Sequence, residues 1–258
     1  MKLSVVIPAY NEEGCIEQTV RSLYKVLKQE KIDHEILVVN DNSKDNTLAI
    51  LEELTSEIRT LNYITNKGSN GFGYAVRYGL EHFAGDAVAV YMADASDNPN
   101  DLVRYYREMI EYDSDCVFGT RWSKHSKVID YPAFKKTINR IVNFSISLLF
   151  QYRYNDTTNA FKLYKKETID GLKPFLSAHF NLTVELPLKA IIRGYQYKVI
   201  PNDWYNRTSG ESKLKLKEMG SRYLFIILYC FLERLLSRGD YHSHRNGKKV
   251  LIINQKSS

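Results

Sequence analysis

Cysteine is scarce in this chain, and what there is lies scattered. Cys15, Cys116 and Cys230 form no CxxC pair, so neither a disulfide framework nor a cysteine-built zinc site is expected. Long apolar runs are also lacking. Residues 223–232 are ten apolar residues in a row, half of the ~20 that cross a bilayer, and Glu233 and Arg234 end the run. No basic stretch followed by an apolar run precedes VVIPAY, so no signal peptide is expected. The chain reads as cytoplasmic, or peripheral on the cytoplasmic face of a membrane. Repeats and low-complexity linkers are absent too. Residues 1–218 therefore read as one catalytic domain, 219–238 as a basic-apolar helix and 239–258 as a polar tail.

What is present suits a folded protein. Apolar residues make up 44% and charged residues 26% of 258, which excludes a disordered chain. The net charge is +6, and the excess is local. Lys213, Lys215, Lys217, Arg222, Arg234 and Arg238 crowd one late segment beside apolar residues. That arrangement favours an anionic surface, either lipid headgroups or nucleic acid. No aromatic-basic platform for nucleic acid is seen.

The apolar, β-branched run at 3–7 and the segment 35–39 read as buried strands, and 61–65 and 87–92 as a third and fourth strand. Between them, 14–29, 45–58 and 73–83 have apolar residues at helical spacing. This alternation predicts an α/β fold with a mostly parallel sheet flanked by helices. Further on, 101–111, 134–150 and 184–192 read as helices, and 115–120, 159–164 and 195–200 as strands. The helix at 134–150 is expected to be amphipathic, with Lys136, Arg140 and Asn143 opposite its apolar face.

Ligands of such sheets sit at the carboxyl ends of the strands. Three polar clusters fall there. Pro8-Ala9-Tyr10-Asn11-Glu12 ends the first strand, with Tyr10 able to stack on a base and Glu12 to hold a ribose or base edge. Asp41 ends the second and could accept an imino N–H of a base. Asp94-Ala95-Ser96-Asp97 follows the fourth. Its carboxylates suit a divalent cation, Mg2+ or Mn2+, bridging a diphosphate. Read singly, each is also an ordinary turn or helix start.

Together these segments resemble the family 2 glycosyltransferases of GT-A fold, and most closely their dolichol-phosphate mannose synthase-like, polyprenol-phosphate branch. VVIPAYNEE is similar to that family's opening motif. VNDNSKDNT is similar to its second, with Asn40 and Asn42 replacing Asp and Gly and Asp41 kept. The Gly71-Phe72-Gly73 loop, Ala75 and Phe118-Gly119-Thr120-Arg121 also fit. One departure concerns the family's Asp-x-Asp metal motif. With Asp94 at its first position, Ser96 replaces the second Asp and Asp97 stands next to it. If Pro99 sets the register instead, both Asp positions become Ala.

The resemblance implies transfer of a sugar, mannose or another hexose, from a GDP- or UDP-sugar to a polyprenyl phosphate. Arg121, Arg140, Arg207 and Lys213 are the expected acceptor-phosphate residues; Arg207-Thr208-Ser209-Gly210-Glu211-Ser212-Lys213 is similar to the branch's phosphate-closing loop. Asp94 and Arg121 are the expected catalytic residues. Asp156, then Glu185, are the candidate general bases, neither set apart from a turn or helix residue. A phosphate acceptor needs no base, because it is largely ionised near neutral pH. Two other readings stay open: a family 2 enzyme extending a glycan on a sugar hydroxyl, and a non-catalytic nucleotide-sugar binding module.

Overall fold

The computed structural model describes residues 1–206 and 216–243, with side chains of 216–219 left aside. The first half alternates as its apolar periods predict. Strand β1 (Leu3–Ala9) leads to α1 (Ile16–Gln29), β2 (His34–Asn40) to α2 (Thr47–Glu57), β3 (Leu61–Thr65) to α3 (Phe72–His82), and β4 (Ala87–Val90) to α4 (Pro99–Glu111). Asn98 caps α4 by accepting from the Asn100 N–H, and Pro99 occupies its first turn, where a missing N–H costs nothing.

The second half is more irregular. It comprises β5 (Cys116–Thr120), β6 (Val128–Ile129), α5 (Ala133–Phe150), β7 (Lys162–Lys165), α6 (Lys166–Gly171), α7 (Leu182–Ile192), β8 (Tyr197–Pro201), β9 (Trp204–Tyr205) and α8 (Leu216–Leu236). One seven-stranded sheet runs β3-β2-β1-β4-β7-β5-β8. Its strands pair in parallel except β7, which lies antiparallel between β4 and β5. Helices cover both faces. Val5, Ile7, Ile16, Leu23, Leu51 and Leu102 belong to one apolar layer. Val6, Val39, Val76, Leu80, Phe118 and Leu186 belong to the other. Consecutive residues of β1 thus point into opposite cores, so the strand reads as an unbroken apolar run.

Three expectations need correction. The strand read at 159–164 begins only at Lys162, because the Asn159 side chain turns away to donate to the Gly119 carbonyl and the Asn202 amide oxygen. Asn143 is buried, not on a solvated face. Its amide donates to the Asn139 carbonyl and side-chain oxygens and to Thr158 Oγ1, and this network selects the inward side of α5. Much of the apolar side of α5 faces water instead, with Phe134 72% and Phe144 67% exposed.

Helix α8 packs on the same domain. It shares an apolar cluster with α5 and α7, and Glu233 takes a bidentate pair from Arg193 at the end of α7. Among the described residues, no helix is long and apolar enough to cross a membrane.

Candidate active site

The carboxyl ends of β1, β2 and β4 open onto one cavity of about 780 Å³, within the range of small-molecule sites. Pro8, Ala9, Tyr10, Glu12, Asp41, Asp94, Ser96, Asp97 and Arg121 all line it. The three strand-end clusters, separated by dozens of residues, are therefore brought together.

Asp41 is 4% exposed. Its carboxylate accepts from the Asn66 side-chain amide and from the Gly71 N–H, each at 2.7 Å. It thus shapes the loop before α3 as well as lining the cavity. Gly71 (φ +149°) and Gly73 are required there by close approach. A Cβ at Gly73 would lie 2.5 Å from the Ala178 carbonyl carbon and 2.6 Å from the His179 nitrogen. Phe72 stacks on Phe180 at 4.3 Å, and both rings line the cavity with His179.

The Asp94–Asp97 segment is held by its backbone. Asp94 accepts from the Ser96 N–H at 3.2 Å, and Ala95 turns through a left-handed φ of +57°. Both carboxylates are buried. Burial, with the nearby Asp94 charge, pushes the Asp97 carboxyl up to about 8. Two buried carboxylates that repel each other beside a cavity fit a divalent cation, whose charge relieves that repulsion. Asp94 and Asp97 are the residues that would hold it, with Ser96 beside them. No third acidic, His or Cys group joins them among the described residues.

The opposite wall comes from β5, α5, β9 and α8. Residue 97 bridges to Trp204, and β6 pairs with β9, which brings Tyr131 against Trp204 at 4.8 Å and against Trp122 at 5.4 Å. Arg121 is fixed by Asp156. Its Nε donates to Oδ2 at 2.8 Å, its Nη2 to Oδ1 at 2.7 Å, and its backbone N–H to Oδ2 at 2.9 Å. Burial works against the Arg121 charge, but the Asp156 carboxylate outweighs it and raises the guanidinium pKa.

This geometry speaks against both candidate bases. Asp156 is fully buried, spends both oxygens on Arg121 and does not line the cavity. Glu185 is also fully buried; it accepts from the Leu176 and Ser177 N–H groups and from Lys189. Arg140 does not line the cavity either. It lies over the Trp122 ring at 5.7 Å, as does Lys136 at 5.8 Å. The two cations thus share one aromatic ring. Arg207 and Lys213 lie outside the described residues.

Some lining residues were not among those expected at the site from the sequence. Lys135 and Arg222 bring two more cations to the cavity, beside Thr158, Asn159 and Thr183. Below that wall Lys162 is 1% exposed and donates to the carbonyls of Thr157, Asn159 and Thr183. Burial pulls its pKa down to about 7 against the opposing pull of Asp156. No local signal marks it, since a lysine in a short strand ordinarily reads as exposed.

The comparisons with known proteins agree with this geometry. The chain is 31% identical over 221 residues to the dolichol-phosphate mannosyltransferase of Pyrococcus furiosus, covering 84% of this chain and 60% of that one. It is 26% identical to glycosyltransferase AglD of Haloferax volcanii, covering 87% and 36%. It therefore spans three fifths or less of the length of these relatives. Among solved structures, the UDP complex of glucosyl-3-phosphoglycerate synthase from Mycobacterium tuberculosis superposes with a TM-score of 0.67 at 16% identity, covering 90% and 79%. That likeness shows the GT-A fold. The family model described as glycosyl transferase family 2 matches residues 4–172, and the chain belongs to that family.

Proposed function

We propose that this chain transfers a sugar from a nucleoside diphosphate sugar to a polyprenyl phosphate, with inversion at the anomeric carbon. One observation carries the acceptor class. All the carboxylates among the described lining residues, Glu12, Asp41, Asp94 and Asp97, come from the β1, β2 and β4 ends. The opposite wall brings Arg121, Lys135 and Arg222 and no carboxylate. A sugar hydroxyl needs a positioned base, and among the described residues that wall offers no carboxylate for the role. A phosphate monoester, with its second pKa at ~6, needs only cations to hold it.

The nucleoside would lie across Pro8, Ala9, Tyr10, Glu12 and Asp41, with its diphosphate towards Asp94. Asp94 and Asp97 are the residues that would hold a Mg2+ or Mn2+ ion, which when bound would supply positive charge to the departing diphosphate; the Mycobacterium tuberculosis relative has been crystallised with either ion and UDP. An oxygen of the acceptor phosphate attacks the anomeric carbon from the opposite side. The bond to the diphosphate breaks, and the nucleoside diphosphate leaves with that electron pair. Arg121, held rigid by Asp156, gives the acceptor a fixed cation, so Asp156 acts as a positioning residue. The dolichol-phosphate mannosyltransferase relative supports both the acceptor and mannose. Arg140, Arg207 and Lys213 remain candidate phosphate contacts.

The test is a panel of GDP- and UDP-sugars offered with polyprenyl phosphate and Mg2+ or Mn2+, read by product mass. A glycosyl phosphoryl lipid from one donor, lost in Asp94→Ala, is the expected result. No lipid product from any donor would overturn the reading. Turnover of any donor removes the alternative of a non-catalytic binding module.

A further inference from the structure

Four successive side chains in segment 156–159 are each committed to a partner. Asp156 holds Arg121 through three bonds. Thr157 Oγ1 pairs with the Tyr152 hydroxyl at 2.6 Å. Thr158 Oγ1 accepts from the amides of Asn139 and Asn143 on α5 at 2.7 and 3.1 Å. Asn159 donates to the Gly119 carbonyl at 3.1 Å and to the Asn202 amide oxygen at 3.0 Å. Thr158 and Asn159 also line the cavity.

The carbonyls of this segment are collected by one side chain. Lys162 Nζ donates to the Thr157 carbonyl at 3.0 Å, to the Asn159 carbonyl, and to the Thr183 carbonyl of α7 at 3.3 Å. An ammonium has three protons and no lone pair, so this cation is spent entirely on backbone. Bonds from a charged donor are stronger than neutral ones. Lys162 is also the first residue of β7, which ties the ammonium to the central sheet. Loop, sheet and α7 therefore meet at one point below the cavity floor. The Asp156 carboxylate supports the Lys162 charge against burial, while the Arg121 charge opposes it. Lys162 is buried and does not line the cavity, so it touches no substrate. It acts on the reaction only through the backbone it holds.

We propose that Lys162 is a positioning residue for the acceptor: its ammonium draws segment 157–159 and the start of α7 to the sheet, and so sets where Arg121, Thr158, Asn159 and Thr183 stand in the cavity. The donor carboxylates do not depend on it. They rise from the ends of β1, β2 and β4, and Asp41 is held by Asn66 and Gly71. The inference rests on the proposed transfer to a phosphate acceptor.

The experiment compares the full chain with its Lys162→Met and Lys162→Gln variants, using one donor, Mg2+ or Mn2+, and polyprenyl phosphate. Lys162→Met is expected to raise the KM for the acceptor at least about tenfold and to leave the donor KM unchanged. Lys162→Gln keeps two N–H donors without the charge and should fall between. Lost stability alone gives another pattern: a partly unfolded enzyme has a lower kcat and unchanged KM for both substrates. Leu23→Ala, which opens a cavity in the other apolar layer, is the control for that pattern. If Lys162→Met melts below the assay temperature, Lys162→Gln carries the comparison. An acceptor KM at the wild-type value, or both KM values rising in step, would overturn the proposal. A second readout needs no acceptor. The two tryptophans of the chain both stand on this wall. The Trp122 ring lies 5.4 Å from the Arg121 guanidinium, and Trp204 lines the cavity. Tryptophan emission of Lys162→Met should move to longer wavelength, and that of Leu23→Ala should not. If wild type makes no lipid product, the functional reading fails by itself and the emission decides. A shift then sustains the positioning role, and unchanged emission overturns it.

Discussion

Both oxygens of Asp156 are occupied by Arg121, so the carboxylate holds a guanidinium in place and has no lone pair aimed at a substrate. Asp156→Asn leaves a buried cation uncompensated, which costs about 3 kcal/mol. For a chain of this size that lowers the melting temperature by roughly 10 °C. Calorimetry checks it: a general base would instead lose activity with no change in melting. Ala95 makes the opposite case. Its left-handed φ costs a residue with a Cβ about 1 kcal/mol, so Ala95→Gly is expected to stabilise the fold by a fraction of that. Denaturant midpoints will show the sign. Lys162 links the wall to pH. Its folded-state pKa lies near 7 against 10.5 for an ordinary lysine, so between those values the unfolded chain binds the extra proton. Stability relative to Lys162→Met should therefore rise with pH from about 7 to 10.5, by up to ~1.4 kcal/mol per pH unit. A flat difference would show that the three carbonyls keep Lys162 charged.

At the scale of elements, the loop at 176–180 is a constrained wall of the cavity. It is gripped from below by Glu185 and pressed from above by Gly73. Gly73→Ala should cost about 1–3 kcal/mol and raise the KM for the donor, since the displaced loop carries His179 and Phe180. Steady-state kinetics would separate this from a kcat effect. Strands β1, β2 and β4 are legible in the sequence because a strand buried on both faces is a nearly unbroken apolar run, and the helices between them because their apolar residues keep helical spacing. The direction of β7 is not legible, since apolar pattern carries no polarity. Strands β6 and β9 are two residues each, too short for any period. The orientation of α5 misleads because its buried side is partly amide, through Asn143, and its exposed side is apolar. The Arg121–Asp156 pair joins residues far apart in sequence, and spacing alone does not reveal such a contact.

At the scale of the molecule, the cavity divides by charge. Carboxylates come from the ends of the parallel strands, and cations from the later segments that close over them. The strand-end half was readable before the structure, as three motifs at successive strand ends. The cationic half was readable only in part. Arg121 was marked by its motif, whereas Lys135 and Arg222 reach the cavity through the packing of α5 and α8. The absence of a lining carboxylate on that wall, among the described residues, sets a pH profile for the proposed reaction. The rate at low acceptor concentration should climb as the acceptor phosphate ionises near pH ~6 and then level off. The central claim is base-free attack by a phosphate. Its most direct test offers one donor to polyprenyl phosphate, to the corresponding polyprenol and to a glycan hydroxyl, with product mass as the readout. The expected result is transfer to the phosphate alone. Equal transfer to either hydroxyl would contradict the account, because it would require a general base, and the cationic wall brings no carboxylate for that role among the described residues.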